Sequence, residues 1–337
     1  MAPDIHERCR QLLTELALAG PDDKVRAEPL SGGVASDIAR VSVGDQTYCV
    51  KFALPKLKVA ADWFAPVHRN AAEYAWLRVA AQIAPESAVR LIGRSPTQHG
   101  FVMEYVSGEH VYLWKAHLLE EAPDQGEATQ VGALIGQIHQ ASCAPGFDPA
   151  PFHNRDDFRA LRLEPYLTFT ATHHPDLQDH LHALAEQLYQ SQQVLVHGDV
   201  SPKNIVFRAS GPVILDAECA TLGDASFDPA FCINHLVLKA IHLPGARQRF
   251  LDQAVAWWQA YEPNVSWETA ADVEMRVCRL LPALMLGRVD GKSPVEYLDN
   301  GARDQVRHIA RHYILNSELR LEDLISGIAD QLKENSA

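Results

Sequence analysis

The sequence predicts an α+β protein in two lobes, a small β-rich one over residues 1–106 and a large, mainly helical one over residues 107–337. Three observations predict it. The stretch IARVSVGDQTYCVKFA (38–53) alternates apolar and polar residues on either side of Gly44-Asp45, as a β-hairpin does. Beyond Ser107 the apolar spacing changes to that of helices. Within that helical region a single compact group at 194–215, with the runs VLVH, NIVF and PVIL, returns to short β-branched segments between polar turns. At roughly 100–200 residues per domain, 337 residues suit two lobes around one cleft.

Taken in order, the chain opens on an amphipathic helix with Ile5, Cys9, Leu12, Leu13 and Leu16 inward; its early charges and short apolar run do not read as a signal peptide. The turn residues SGGVAS (31–36) feed the hairpin, and Pro55 to Pro66 form a connection. NAAEYAWLRVAA (70–81) has helical spacing, while RLIG and GFVMEY read as two further strands. SGE at 107–109 is the expected hinge, and the acidic 119–127 segment an expected surface loop. Helices are predicted over 128–140, where Val131, Leu134, Ile135 and Ile138 form one stripe, and over 177–192 and 246–261.

Composition narrows the function classes. The 30 Lys and Arg residues against 43 Asp and Glu give a formal charge of -13, which disfavours nonspecific binding to nucleic acid or an anionic membrane. No stretch approaches the roughly 20 apolar residues of a transmembrane helix, so a cytoplasmic location is the default expectation. The six cysteines show no CxxC or other ligand spacing, as in a reduced compartment.

The chemistry concentrates in His197-Gly198-Asp199-Val200-Ser201-Pro202-Lys203-Asn204, followed by a strand ending in Asp216-Ala217-Glu218. Phosphoryl transfer asks a protein for a carboxylate that takes the acceptor hydroxyl's hydrogen bond and for hard oxygen ligands that hold Mg2+ on the phosphates. One turn offers both, with Asp199 for the acceptor and Asn204 reaching back to the metal. Asp216 would be the second, charged ligand. In the N-terminal lobe, Lys51 is a lone charge in an apolar strand, which an ATP phosphate and a helix carboxylate would justify; Glu73 is the natural partner.

These residues resemble the aminoglycoside phosphotransferase-like superfamily, marked by HGDxxxxN and a following DxE or DxD segment. The resemblance implies a bilobal protein-kinase-like fold and an ATP-dependent transfer to a hydroxyl of a small molecule such as a sugar, an aminoglycoside or an amino alcohol. It implies Asp199 as catalytic base, Asn204 and Asp216 as Mg2+ ligands, Glu218 as a contact to the metal or its water, and Asp228 as a buried structural acid. DAECATLGDASFDPAF (216–231) is also similar to a segment of methylthioribose kinases, which carry Ser where this chain has Asn204. Lys51 and Glu73 resemble the strand-lysine and helix-glutamate pair of kinases. Gly32 and Gly33 resemble a reduced nucleotide-covering loop, and FVMEYV (101–106) resembles a hinge strand in which backbone groups of Glu104 and Val106 hold adenine with Met103 behind the ring.

Three other features compete. GRVDGKS (287–293) mimics a phosphate-binding loop but has three residues between its glycines where four are needed. Arg288 and Lys292 are accordingly read as helix-end surface residues that could touch an anionic part of a substrate. His173-His174 is read as solvent-facing, with acceptor contacts expected around 150–175 and 232–242. A protein serine/threonine kinase would share the same catalytic set, yet no APE motif follows Asp216 and GDASFDPAF intervenes at once. A nucleotide-binding pseudokinase would lack one of these residues, and none is missing.

Overall fold

The computed structural model describes residues 4–30, 35–58 and 63–334. Its N-terminal lobe is built on a five-stranded antiparallel sheet in the order β1-β2-β3-β5-β4, from β1 (Val25–Pro29), β2 (Ser36–Val43), β3 (Gln46–Ala53), β4 (Leu91–Ser95) and β5 (Gly100–Glu104). The turn at Gly44-Asp45 joins β2 to β3 as the sequence predicts, with Val43 paired to Gln46. Because side chains alternate along a strand, β3 sends Val50 and Phe52 to one face and Cys49 and Lys51 to the other. Val50 and Phe52 pack with Cys9, Leu12 and Leu13 of helix α1 (Ile5–Glu15), whose first turn is capped by Asp4. Cys49 joins Phe101, Met103, Trp76 and Leu77, so Lys51 faces helix α2 (Arg69–Ile83) and the rest of the molecule.

The remainder is mainly helical: α3 (Trp114–Leu119), α4 (Glu127–Ser142), α5 (Arg155–Phe158), α6 (Phe169–Ala171), α7 (Gln178–Gln190), α8 (Phe227–His242), α9 (Arg247–Tyr261), α10 (Ala270–Asp290), α11 (Asn300–Leu315) and α12 (Leu321–Glu334). Between α5 and α6 the chain winds as a π-helix over Arg159–Thr168, with Pro165 inside it. Two small antiparallel ribbons lie among these helices. One pairs β7 (Val194–Val196) with β10 (Thr221–Gly223), and the other runs β6 (Tyr112–Leu113), β8 (Ile205–Arg208), β9 (Gly211–Ile214). The chemistry-bearing turn 197–204 is therefore held between β7 and β8, with strands on both sides of it.

Some elements depart from expectation. Strand β1 and the ribbons' β6 and β10 carry too few alternating residues to be seen in advance. Helix α8 is buried on every side, so it shows no amphipathic stripe to read. The expected surface loop at 119–127 ends in Glu127, which is buried and accepts hydrogen bonds from the Gln125 amide (2.8 Å) and the Tyr112 hydroxyl (3.0 Å). Among the described residues no helix is long and apolar enough to cross a membrane.

Close packing of α4 on α9 requires a glycine. A Cβ on Gly132 would stand 2.2 Å from the Trp257 carbonyl oxygen, a backbone atom that cannot turn aside. Gly132→Ala is expected to lower stability by about 3 kcal/mol through forced separation of the two helices. Urea unfolding followed by circular dichroism measures it, and an unchanged midpoint would contradict this packing.

Candidate active site

The turn after β7 is shaped by one buried carboxylate. Asp228, in the first turn of α8 and fully buried, accepts hydrogen bonds from the amides of His197 (2.7 Å) and Gly198 (2.9 Å) and sits 3.2 Å from His139 Nε2. Gly198 has φ +80°, a left-handed conformation that a side chain resists, and an added Cβ would meet Cys219 Cβ at 3.0 Å. The Asp199 amide donates to His197 Nδ1 at 3.0 Å, and Asn204 Nδ2 donates to the Asp199 carbonyl at 3.1 Å. His197 is buried, and burial pushes its pKa down, so the ring accepts that bond as a neutral imidazole.

The Asp199 carboxylate is 4% exposed and flanked by two cations, Arg162 Nη2 at 3.0 Å and Lys203 Nζ at 3.3 Å. Burial alone would raise its pKa, but Lys203 and Arg162 outweigh burial and hold it below the usual carboxylate range. It therefore stays ionised at neutral pH. Arg162 also donates to the Gly198 carbonyl, so the same guanidinium holds the turn and its acid.

Across the cleft, Lys51 Nζ lies 2.7 Å from Glu73 Oε1 of α2 and also donates to Asp216 Oδ1 just beyond β9. Burial would lower the Lys51 pKa, yet Asp216 and Glu73 together keep it above its ordinary value, so the ammonium persists in the interior. Asp216 is driven well below the carboxylate range: burial opposes this, and Lys51 and Lys203 prevail. Burial pushes Glu73 up to about 7 in spite of Lys51, making it the member of the trio nearest to protonation. Asp216 has φ +71°, a left-handed conformation costing on the order of 1 kcal/mol for a residue with a side chain.

Glu218 is buried behind this group and accepts from Arg69 Nε at 2.9 Å. Arg69 in turn donates to the carbonyls of Leu54 (2.9 Å) and Pro66 (2.8 Å). Glu218 thus ties the segment after β9 to the start of α2. Met103 is buried on β5. The Glu104 amide is used by the Arg90 carbonyl (2.9 Å) and its side chain by Arg208 (2.8 Å), so of its backbone only the carbonyl could meet a ligand, with Val106 two residues on. Gly32 and Gly33 lie outside the described residues.

Two surface expectations need correction. Arg288, in the last turn of α10, is 9% exposed because its guanidinium folds inward to donate to the Tyr166 hydroxyl (3.2 Å) and to Ser293. His174 pairs with Asp290 at 2.8 Å and is largely covered, while His173 is exposed as expected. Arg162 lies in the 150–175 stretch where acceptor contacts are expected, but no pattern singles it out. It sits on a π-helix, whose spacing matches neither the helix nor the strand period that such reading uses. A separate cavity of about 260 Å³, lined by Phe152, His153, Arg155, Gln192, Thr221 and Leu222, contains none of the predicted catalytic, nucleotide or metal residues.

A β-sheet lobe carrying a buried lysine-glutamate pair, joined to a helical region that presents Asp216 to that lysine and carries Asp199 and Asn204 on the preceding turn, defines the protein-kinase-like class of phosphotransferases. More narrowly, residues 26–267 match the model of the phosphotransferase enzyme family, and the chain belongs to that family, within the aminoglycoside phosphotransferase-like superfamily. Solved structures with the same fold include a choline/ethanolamine kinase family protein from Mesorhizobium loti, at 16% identity and TM-score 0.53, covering 95% of this chain and 99% of that one. An ethanolamine kinase from Plasmodium vivax aligns at 10% identity and TM-score 0.57, covering 94% and 97% respectively. No curated protein sequence matches the chain.

The Asp228 contacts set an expected outcome. Asp228→Ala leaves two buried amides and the His139 ring without their acceptor, and should lower stability by about 3–5 kcal/mol. Urea unfolding of the purified variant reads this, and a loss below about 1 kcal/mol would mean that the turn is held by something else.

Proposed function

We propose that the protein transfers the γ-phosphoryl group of ATP to a hydroxyl of a small molecule, with residues 1–106 chiefly holding the nucleotide and 107–337 the acceptor. One observation carries the reading: Lys51 is drawn both to Glu73 on its own lobe and to Asp216 from 165 residues away, and Asp216 is near enough to the buried Asp199 for their charges to repel. A charged lysine and two carboxylates held ionised inside a protein need ligands of both signs to justify the burial.

The donor set suits Mg2+ carried on phosphates. Asp216 offers a carboxylate and Asn204 a carboxamide, both hard oxygens, and Mg2+ bound to a nucleotide needs only one or two carboxylates from the protein. Among the described residues no group of three or more His, Cys, Asp and Glu gathers as a self-sufficient cage. When bound, the ion neutralises charge on the phosphates. Lys51 would exchange its Asp216 contact for phosphate oxygens while Glu73 keeps it oriented, and Glu218 would brace the segment through Arg69.

Asp199 is the base of this reading. Its depressed pKa keeps the carboxylate free to accept the hydroxyl proton as the acceptor oxygen forms its bond to the γ-phosphorus and the bond to the ADP oxygen breaks. Arg162 orients that carboxylate, and most of the rate would come from positioning and charge stabilisation. A protein substrate is disfavoured by the short span after Asp216, since α8 begins at Phe227 and leaves no room for a long activation segment. A silent pseudokinase is disfavoured by the presence of Lys51, Glu73, Asp199, Asn204 and Asp216 together.

Asp199→Asn should cut ADP release in the presence of acceptor by roughly 10²–10⁴-fold while nucleotide affinity is kept. Asp216→Ala should remove the Mg2+ dependence of ATP binding. Turnover undiminished in the first variant would exclude Asp199 as base.

A further inference from the structure

The sites described so far leave a second charged group unused. A pocket of about 50 Å³, enough for a few waters or one oxyanion headgroup, opens beside Lys203 and is lined also by Lys115, Lys239, Arg288, Glu296 and Tyr297. It draws on α3, the turn 202–203, α8, α10 and the segment after α10, so no local pattern announces it. Four cations face one carboxylate. Glu296 is paired with Lys115, and Lys203 with Asp199 at 3.3 Å. The other two cations, Lys239 at 1% exposure and Arg288 at 9%, make no salt bridge among the described residues. Lys239 Nζ reaches only the His235 carbonyl, at 3.4 Å, and the Tyr297 ring, at 5.2 Å. Arg288 donates only to neutral groups, Tyr166 and Ser293.

Two buried cations without a counter-charge are costly, by several kcal/mol for an ion that water cannot reach. The pocket is also unfinished as a hydrogen-bonding site, because Arg288 Nε and the Tyr297 hydroxyl are buried without partners among the described residues. Both deficits are met by one ligand, an oxyanion that accepts several hydrogen bonds and brings negative charge. Lys203 sets where such an ion would lie relative to the chemistry, for it lines the pocket and touches the Asp199 carboxylate.

We propose that the phosphate acceptor is itself anionic, a small hydroxylated molecule bearing a carboxylate or phosphate that seats against Arg288, Lys239 and Tyr297 and thereby brings its hydroxyl to Asp199. This rests on the phosphotransferase reading above and adds the substrate class. A quaternary ammonium or polyamine acceptor would meet like charge in this pocket, so such compounds are rejected here. Burial pushes the Lys239 pKa down to about 7, with Lys115 and Arg288 adding to it, and the groups around it are His235, Cys232, Glu296 and Tyr297. An oxyanion in contact reverses that penalty, so binding above pH 7 takes up a proton and weakens as pH rises.

The test is calorimetric titration of the full chain, without nucleotide, with glycerate and with glycerol 3-phosphate, each against glycerol, and with choline as the cationic control. Wild type, Arg288→Met, Lys239→Met and Lys333→Met are compared. At least one of the two anions should bind, the stronger of them showing which headgroup the pocket favours. Binding should fall roughly tenfold or more in Arg288→Met and Lys239→Met and stay within about twofold in Lys333→Met, whose side chain is exposed on α12. At pH 8 the wild type should take up protons on binding, read from buffers of different ionisation enthalpy, and Lys239→Met should lose that uptake. Lys239→Met should also melt at or above the wild-type temperature, separating lost binding from lost folding. Neither anion binding, glycerol or choline binding as well as the anions, or anion binding unchanged in both pocket variants would each overturn the proposal. ADP release with the same compounds is read separately: anion binding without turnover of any acceptor counts against the phosphotransferase reading, whereas turnover of choline alone counts against the anionic pocket.

Discussion

Lys51 is the point on which the two halves of the molecule agree. Its ammonium, buried on the inner face of β3, is shared between Glu73 on α2 and Asp216 beyond β9. The Glu73 contact alone would hardly repay the burial of Lys51 and Glu73, since a buried ion pair typically loses about as much hydration as it gains in attraction; the part-buried Asp216 adds a second anion. On the function proposed above, the trio is a set of charges held ready for a polyphosphate and its metal. Around it the supporting contacts run outward: Arg69 joins Glu218 to the chain before α2, and Arg162 joins Asp199 to the turn that carries it.

The second structural dependence is the turn 197–204. Asp228 supplies the acceptors that two consecutive amides need, and the left-handed Gly198 lets Asp199 emerge beneath them. The resemblance implied a structural role for Asp228, and its hydrogen bonds are those of a brace. A carboxylate serves better than a neutral acceptor here, because bonds from amides to an ion are the stronger kind. The turn's rigidity is then transmitted to Asp199 and, through the Asn204 side chain, to the start of β8.

Much of the fold was legible in advance. The β2-β3 hairpin, α2, α4, α7, α9 and the short strands β7 to β9 all carry clear periodicity, and each formed close to its expected bounds. Legibility failed where burial is complete or the winding unusual, as in α8 and the π-helix. The site divides the same way. Lys51, Glu73, Asp199, Asn204 and Asp216 announce themselves by type and order; the structure joins Lys51 to Glu73 and Asp216, and Asn204 to the Asp199 backbone. The burial of Arg162, Lys239 and Arg288 was hidden, since an isolated basic residue on a helix reads as solvated until its neighbours are known. Arg288 is the clearest instance, expected at a helix end in water and found inside, bonded to Tyr166 and Ser293.

By itself the sequence determined the two-lobed class, the order of the elements and which charged residue types stand at the ends of its strands and turns. Those properties follow from spacing within a few residues, where helix and strand geometry dictate which side chains share a face. Only the tertiary structure decided which charges pair. A lysine at 51 meets an aspartate at 216, and Lys115, Lys203, Lys239 and Arg288 converge from four separate segments. Coulombic preference sets no partner in a solvated chain; packing excludes water, and in that exclusion a charge must find either a counter-charge of its own or a ligand that brings one.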